Sequence, residues 1–128
     1  MSTARTLAND NTPALLTRDA PHNIEAEQAL LGAILANNEA LNHVGQALKP
    51  DDFYAPIHQR IYRAVVQFHD RGMIANPITL KHHFTKEDGI EDAYLARLVA
   101  AATTIINVAD YAHIIHDLSL KRSLIGIG

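Results

Sequence analysis

Cysteine is absent from the 128 residues. That removes disulfides, thiolate metal sites and a cysteine nucleophile together, and it fits a reducing cytosol. Tryptophan is absent as well, and aromatics make up only 5%. A core built from Ala, Leu, Ile and Val suits helix packing better than a β-sandwich. No apolar run approaches the roughly 20 residues that a membrane span needs. Met1 to Ala20 also lacks the basic start and apolar stretch of a secretory signal, so a cytoplasmic location is expected. The glycines Gly32, Gly45, Gly72, Gly89, Gly126 and Gly128 open no G-x-x-x-x-G-K-[ST] loop. Without that backbone cradle and its lysine there is no recognisable site for nucleotide phosphates, and no cofactor is expected on this chain. The serines Ser2, Ser119 and Ser123 occupy no nucleophile elbow.

Positive charge is also scarce. Eleven Lys and Arg stand against 14 Asp and Glu, for a net charge of −3. Arg60 lies near Arg63 and Lys121 beside Arg122, but no stripe forms. A duplex-binding face needs concentrated basic charge to displace counterions, so direct DNA binding is not expected. What is present is the composition of one soluble globular domain: 48% hydrophobic and 20% charged residues.

Met1 to Ala20 has few large apolar residues and no period, which predicts a disordered tail over 1–20. From Pro21 onward the pattern is helical throughout. The first helix is expected over Ile24–Ala36, capped by Asn23, with Glu25 and Glu27 complementing the helix dipole and Leu30, Leu31, Ile34 and Leu35 buried. A short second helix is expected over Glu39–Leu48, and a turn over Lys49 to Asp52. The third begins at Pro56: Ile57, Ile61, Ala64, Val65 and Phe68 share one face, while His58, Arg60, Arg63, Gln67 and Asp70 lie mostly elsewhere, and Gly72 stops it. Asn76 caps a fourth that runs to about Phe84. A fifth covers Glu91 to Ala101, with Leu95, Leu98 and Val99 in helical spacing. Thr103 to Ile106 reads as a loop, with Asn107 capping a sixth helix that buries Val108, Tyr111, Ala112, Ile115 and Leu118. No strand alternation or hairpin signal stands out. The expected fold is therefore all-α, a compact bundle of about six helices.

Three groups of residues carry possible chemistry. Asp110, His113, His116 and Asp117 form D-x-x-H-x-x-H-D, in which His113 and Asp117 share a face and can reach one cation. A solvated polar face outweighs that reading, because no segment supplies a third ligand. His82 and His83 point about 100° apart if helical. The acid pairs Asp51-Asp52, Glu87-Asp88 and Glu91-Asp92 sit at turns and helix starts, where capping is the simpler role. Phe53, Tyr62 and Tyr111 read as core residues rather than base-stacking aromatics, and Tyr94 stands between core and interface.

The order of short motifs is more specific than any of them alone. Pro21-His22-Asn23-Ile24-Glu25-Ala26-Glu27-Gln28-Ala29-Leu30-Leu31-Gly32 resembles the opening motif of the DnaB-type replicative helicases. Asp51-Asp52-Phe53-Tyr54 with His58, Ile61 and Tyr62 is similar to a second; Ile78-Thr79-Leu80 to a third; Ala93-Tyr94-Leu95 to a fourth. Asn107 with Tyr111-Ala112, Ile114-Ile115 and Arg122 is similar to a fifth. The resemblance runs from about Pro21 to Ile125. It implies a non-catalytic N-terminal collar domain over 21–128 of an ATP-dependent 5′–3′ DNA helicase. Its roles would be self-association (head-to-head dimers within a hexameric ring) and docking of primase, with a helicase loader as a further partner. ATP and Mg would then belong to a RecA-like motor domain of the parent protein. Apolar residues Leu124, Ile125 and Ile127 still continue at the end of the chain, as expected if the sequence stops short of a helical hairpin and motor. One departure is plain: Ile90 and Glu91 stand where family members often carry a glycine pair. The segment Ile90, Asp92, Tyr94, Leu95, Arg97 and Leu98 is the expected partner interface, for its mixture of charge, tyrosine and leucine.

Two alternatives remain at this point. A helix-turn-helix module would show salt-sensitive DNA affinity, and a metal-dependent hydrolase using His113 and His116 would hold metal when purified. The eight histidines generate one prediction. Protonating all of them moves the net charge from −3 through −3 + 8 to +5. Solubility or assembly mass is expected to change between about pH 8 and pH 5.5, and light scattering that stays flat over that range removes the effect.

Overall fold

The structure is a computed structural model, and it describes residues 20–85, 88–102 and 105–126, leaving aside the side chains at 105–106. In chain order the elements are α1 (Ile24–Ala36), a 3-10 helix (Asn38–His43), a second 3-10 helix (Pro50–Asp52), α2 (Pro56–Asp70), α3 (Pro77–Lys81), α4 (Asp92–Ala100) and α5 (Ile105–Leu124). No strand occurs among the described residues. The all-α expectation holds, as a bundle centred on α1. The expected tail over 1–20 lies outside the described residues except for Ala20, which is 2% exposed and already packed.

α1 is central because it is apolar around most of its circumference. Ala26, Leu30, Leu31, Ala33, Ile34 and Leu35 are all buried, and α4 and α5 pack against it. Asn23 caps it as expected, its side chain accepting from Ala26 N at 2.9 Å. α2 is one-sided instead. Ile61, Ala64, Val65 and Phe68 face the core, while Arg60, Arg63 and Gln67 are exposed. It ends in a Schellman arrangement: Met73 N bonds Phe68 O at 2.8 Å and Gly72 N bonds His69 O at 3.0 Å. Gly72 supplies the left-handed φ of 71° that this requires.

α3 is set by its start. Asn76 accepts from Ile78 N and Thr79 N, and the Thr79 hydroxyl accepts from Asn76 N, each at 2.9 Å. Ala75 before the cap and Leu80 after it are both buried, as in a hydrophobic staple. Asn38 ties this start to α1, donating to Ile34 O at 2.8 Å and to Ala75 O at 2.7 Å and accepting from Ala75 N at 2.7 Å.

Several expectations need correction. The second helix is a 3-10 helix of six residues rather than Glu39–Leu48. Asn37 caps it through Glu39 N, and only Ala40 within it is buried. Gly45, in the left-handed region at φ 84°, breaks the segment, although Val44 and Leu48 beyond it still reach the core. α3 ends at Lys81 rather than Phe84. The last helix begins at Ile105, so Asn107 lies inside it and is not its cap, and the loop over Thr103 to Ile106 is helical at its last two residues. Thr103, Thr104 and Glu87 lie outside the described residues.

Gly32 marks the closest approach in the bundle. A Cβ there would land on the Leu98 carbonyl, 2.8 Å from its carbon and 3.1 Å from Ala102 Cα. Backbone, not a movable side-chain tip, blocks that space. Gly32→Ala is therefore expected to cost about 1–3 kcal/mol by overpacking. Thermal unfolding should register it as a drop of roughly 4–8 °C for each kcal/mol in a domain of this size; an unchanged Tm means that α4 moves away freely.

Candidate functional site

The motif residues that are scattered along the sequence converge in space on two linked polar clusters. The first is centred on Glu27. It sits in the first turn of α1 but is only 2% exposed. One carboxylate oxygen accepts from Tyr54 N at 2.7 Å, and the other accepts from Ala55 N at 3.4 Å. These N–H groups lie at the entry to α2, where no intrahelical carbonyl serves them. The same carboxylate takes His58 Nδ1 at 2.8 Å, and His58 is itself 1% exposed. Its other ring nitrogen, Nε2, is hydrogen-bonded to the Tyr94 hydroxyl at 2.5 Å. Tyr94 stacks on the imidazole with ring centroids 5.9 Å apart, and its oxygen takes Gln28 Nε2 at 3.4 Å.

An acid, a histidine and a hydroxyl in line have the order of a nucleophilic triad. Burial argues against that chemistry. Glu27 and His58 are sealed from solvent, and none of the three residues lines the principal surface cavities. The hydroxyl is a phenol that is hydrogen-bonded inward. The cluster ties α1, α2 and α4 together.

The second cluster is centred on Asp52. Its carboxylate accepts from Lys49 N at 2.9 Å and closes the turn, as expected of a capping acid. It also takes the Ser119 hydroxyl at 2.8 Å and His116 Nδ1 at 3.2 Å, both from α5. One turn on, Arg122 is buried and donates to Asp52 O at 2.7 Å and Pro21 O at 2.8 Å. Its guanidinium lies 5.5 Å from the centre of the Tyr54 ring, on which His22 stacks at 4.0 Å. Tyr62 lies between the clusters, 3% exposed and tilted against Phe53. Burial, and then the charge of Asp52, push the Tyr62 hydroxyl up to about 12, so it stays protonated.

The residues expected at the interface divide by direction. Leu95 and Leu98 are buried in the chain's own core and cannot meet a partner without unpacking it. Tyr94 and Ile90 are half-buried against that core. Asp92 and Arg97 are exposed, with the Arg97 guanidinium 5.2 Å from the centre of the Tyr94 ring. On α5, His116 turns to Asp52, and Asp117 pairs with Lys121 at 3.1 Å. Among the described residues no three His, Asp or Glu groups converge as metal ligands. Asp88 accepts from Thr85 N at 2.8 Å as a capping acid, whereas Glu91 makes no side-chain cap. His83 packs edge-on against Phe68 and Phe84. Phe53 and Tyr62 are core residues, and Tyr111 is half-buried against the core. Sequence reasoning missed His58, which it placed with the polar residues of α2, and the central role of Glu27. A Glu and a His at ordinary helical positions give no signal of a partner 31 residues away.

Replacing Glu27 with Gln keeps the shape but removes the charge and gives the side chain an amide donor that faces donors. The expected cost is about 1–3 kcal/mol, read from urea unfolding. Stability equal to wild type shows that the carboxylate contributes no more than its volume.

A family model described as "DnaB-like helicase N terminal domain" matches residues 19–117. The chain is 44% identical over 128 residues to the replicative DNA helicase DnaB of Rickettsia bellii, covering 97% of this chain and 26% of that protein. It is 37% identical over 123 residues to the replicative DNA helicase DnaC of Bacillus subtilis, covering 93% of this chain and 26% of that one. The chain thus spans about a quarter of the length of these relatives. Among solved structures, the N-terminal domain of DnaB helicase from Mycobacterium tuberculosis superposes with a TM-score of 0.74 at 32% identity, over 83% of this chain and 80% of that one. No helix among the described residues is long and apolar enough to cross a membrane. With its fold, its motif residues and the family model in agreement, the chain belongs to the DnaB-like helicase N-terminal domains.

Proposed function

We propose that this chain is the collar domain of a replicative DNA helicase, serving self-association of the parent ring and docking of primase during DNA replication. One observation carries it. The polar side chains that resemble chemistry, Glu27, His58, Tyr94, Asp52, His116 and Arg122, are bonded to each other and to backbone groups of the bundle. They hold the bundle rigid, and function is left to its surface. The relatives' names supply the context: both are replicative helicases, and the chain matches about a quarter of each. ATP and Mg would act on a motor domain of the parent, and a loader would be a further protein partner.

The segment from Ile90 to Leu98 is the proposed association surface, now narrowed to its outward residues. Asp92 and Arg97 face solvent while Leu95 and Leu98 anchor α4 beneath them. The parent helicase carrying Arg97→Glu is expected to associate roughly tenfold more weakly, because a reversed charge at a rim meets like charge on its partner. Light scattering across a concentration series reads this, and unaltered mass at every concentration removes the segment from the interface. Biolayer interferometry of this chain against primase from the same organism tests the second role: saturable binding is expected, and no response removes it. ATP turnover by this chain alone overturns the reading as a whole.

A further inference from the structure

α2 carries one surface feature that neither polar cluster uses. Arg60, Arg63 and Gln67 are exposed at spacings of three and four residues, so they share one face of the helix. The segment after α3 lies beside that face, and the two enclose a recess of about 150 Å3. Ala64 and Phe84 give it an apolar lining, while Arg60, Arg63, Gln67, His83 and Asp88 supply its polar groups.

Both guanidiniums have donors to spare. Arg60 donates to Asp88 O at 3.4 Å. Arg63 meets Asp51 at 3.4 Å, a single contact to a carboxylate that is 88% exposed. A guanidinium carries five N–H groups, and an exposed pair of this kind is worth little. His83 is positioned by aromatic contacts instead. Its ring packs edge-on against Phe68 and Phe84, with centroids 5.3 Å away in each case. Asp88 is the one acid among the described lining residues. Its Oδ2 accepts from Thr85 N at 2.8 Å and from the Thr85 hydroxyl at 3.2 Å. It meets Arg60 through its backbone carbonyl, not through its charge.

Two guanidiniums, an imidazole and a carboxamide around a small recess match the acceptor oxygens of a phosphate, which Arg engages with paired N–H groups. The volume is about half of the roughly 300 Å3 at which pockets for drug-sized ligands begin, so it admits phosphoryl groups and not a whole nucleotide. We infer that this recess is a phosphate-binding site, with Arg60 and Arg63 as the clamp and Gln67 and His83 as further donors. It is built from side chains, so it leaves no Gly-rich signature in the sequence. The phosphate comes either as a free ion such as pyrophosphate or from the backbone of a nucleic-acid strand whose sugars and bases stay outside the recess. The site stands apart from the collar function.

Heteronuclear NMR titration of this chain with pyrophosphate, at an ionic strength held constant with sodium chloride, tests the site. Saturable shifts confined to Arg60, Arg63, Gln67, His83 and their neighbours are expected. Arg60→Gln and Arg63→Gln are each expected to weaken binding about tenfold through the loss of a charge-assisted contact. Both positions are exposed, and thermal unfolding verifies that the variants fold. Shifts spread over all cationic side chains without saturation, or variants that bind like wild type, overturn the site. A thymidine oligonucleotide separates the two sources. Binding that moves the same resonances and is lost in the same variants assigns the phosphate to a strand; no binding of it beside saturable pyrophosphate assigns it to a free ion. No saturable response to either ligand overturns the inference. Variants that lose pyrophosphate but still bind primase leave the collar reading intact.

Discussion

A carboxylate removed from water is tolerated only where donors replace its hydration. Glu27 meets that condition with the N–H groups of Tyr54 and Ala55 and with His58. The arrangement works in both directions. The two N–H groups lie at the start of α2, where a helix leaves its first donors unpaired, and the carboxylate of α1 supplies the missing acceptor. The entry angle of α2 is thereby fixed relative to α1. His58 extends the chain of bonds to Tyr94, so that α4 is held through the same carboxylate. Removing Glu27 leaves three donors at the entry and first turn of α2 without their acceptor.

The second anchor, Asp52 with Arg122, does for the ends of the domain what Glu27 does for its centre. Arg122, late in α5, reaches both Pro21 O and Asp52 O. The first described turn of the chain and its last helix are thus joined at one corner. His22 and the guanidinium both engage the Tyr54 ring there. Apolar burial supplies the bulk of the driving force, with Leu30, Leu31 and Ile34 fully buried along α1. It is non-directional, and it does not choose one register among helices lined with similar side chains. The polar anchors make that choice, because a slip of one residue leaves a charge buried without its partner.

The boundaries that could be read in the sequence were those fixed locally. Asn23, Pro56, Gly72 and Asn76 mark helix ends through bonds that span only a few residues, and the structure places caps or stops at each. The failures are of the opposite kind. The stretch after Asn37 has enough apolar residues to suggest an α-helix, and Ala40, Val44 and Leu48 do reach the core, but a left-handed Gly45 interrupts it. Asn107 has the chemistry of a cap, yet the helix starts earlier, at Ile105. At the expected interface, the spacing of Leu95 and Leu98 was legible, but not that it directs them inward; only Asp92 and Arg97 are left fully outward.

The sequence by itself determined the helical class, the core face of each long helix and the family. These follow from periodicity, caps and the order of short motifs, all properties of neighbouring residues. Tertiary structure decided which motif residues meet. Glu27 and His58 are 31 positions apart, and Arg122 and Pro21 are 101 apart. No local rule relates such pairs, because their meeting depends on how whole helices cross once the apolar faces have packed. Burial then gave an ordinary-looking acid its role, since a hydrogen bond that is nearly neutral in water becomes decisive where water cannot take its place.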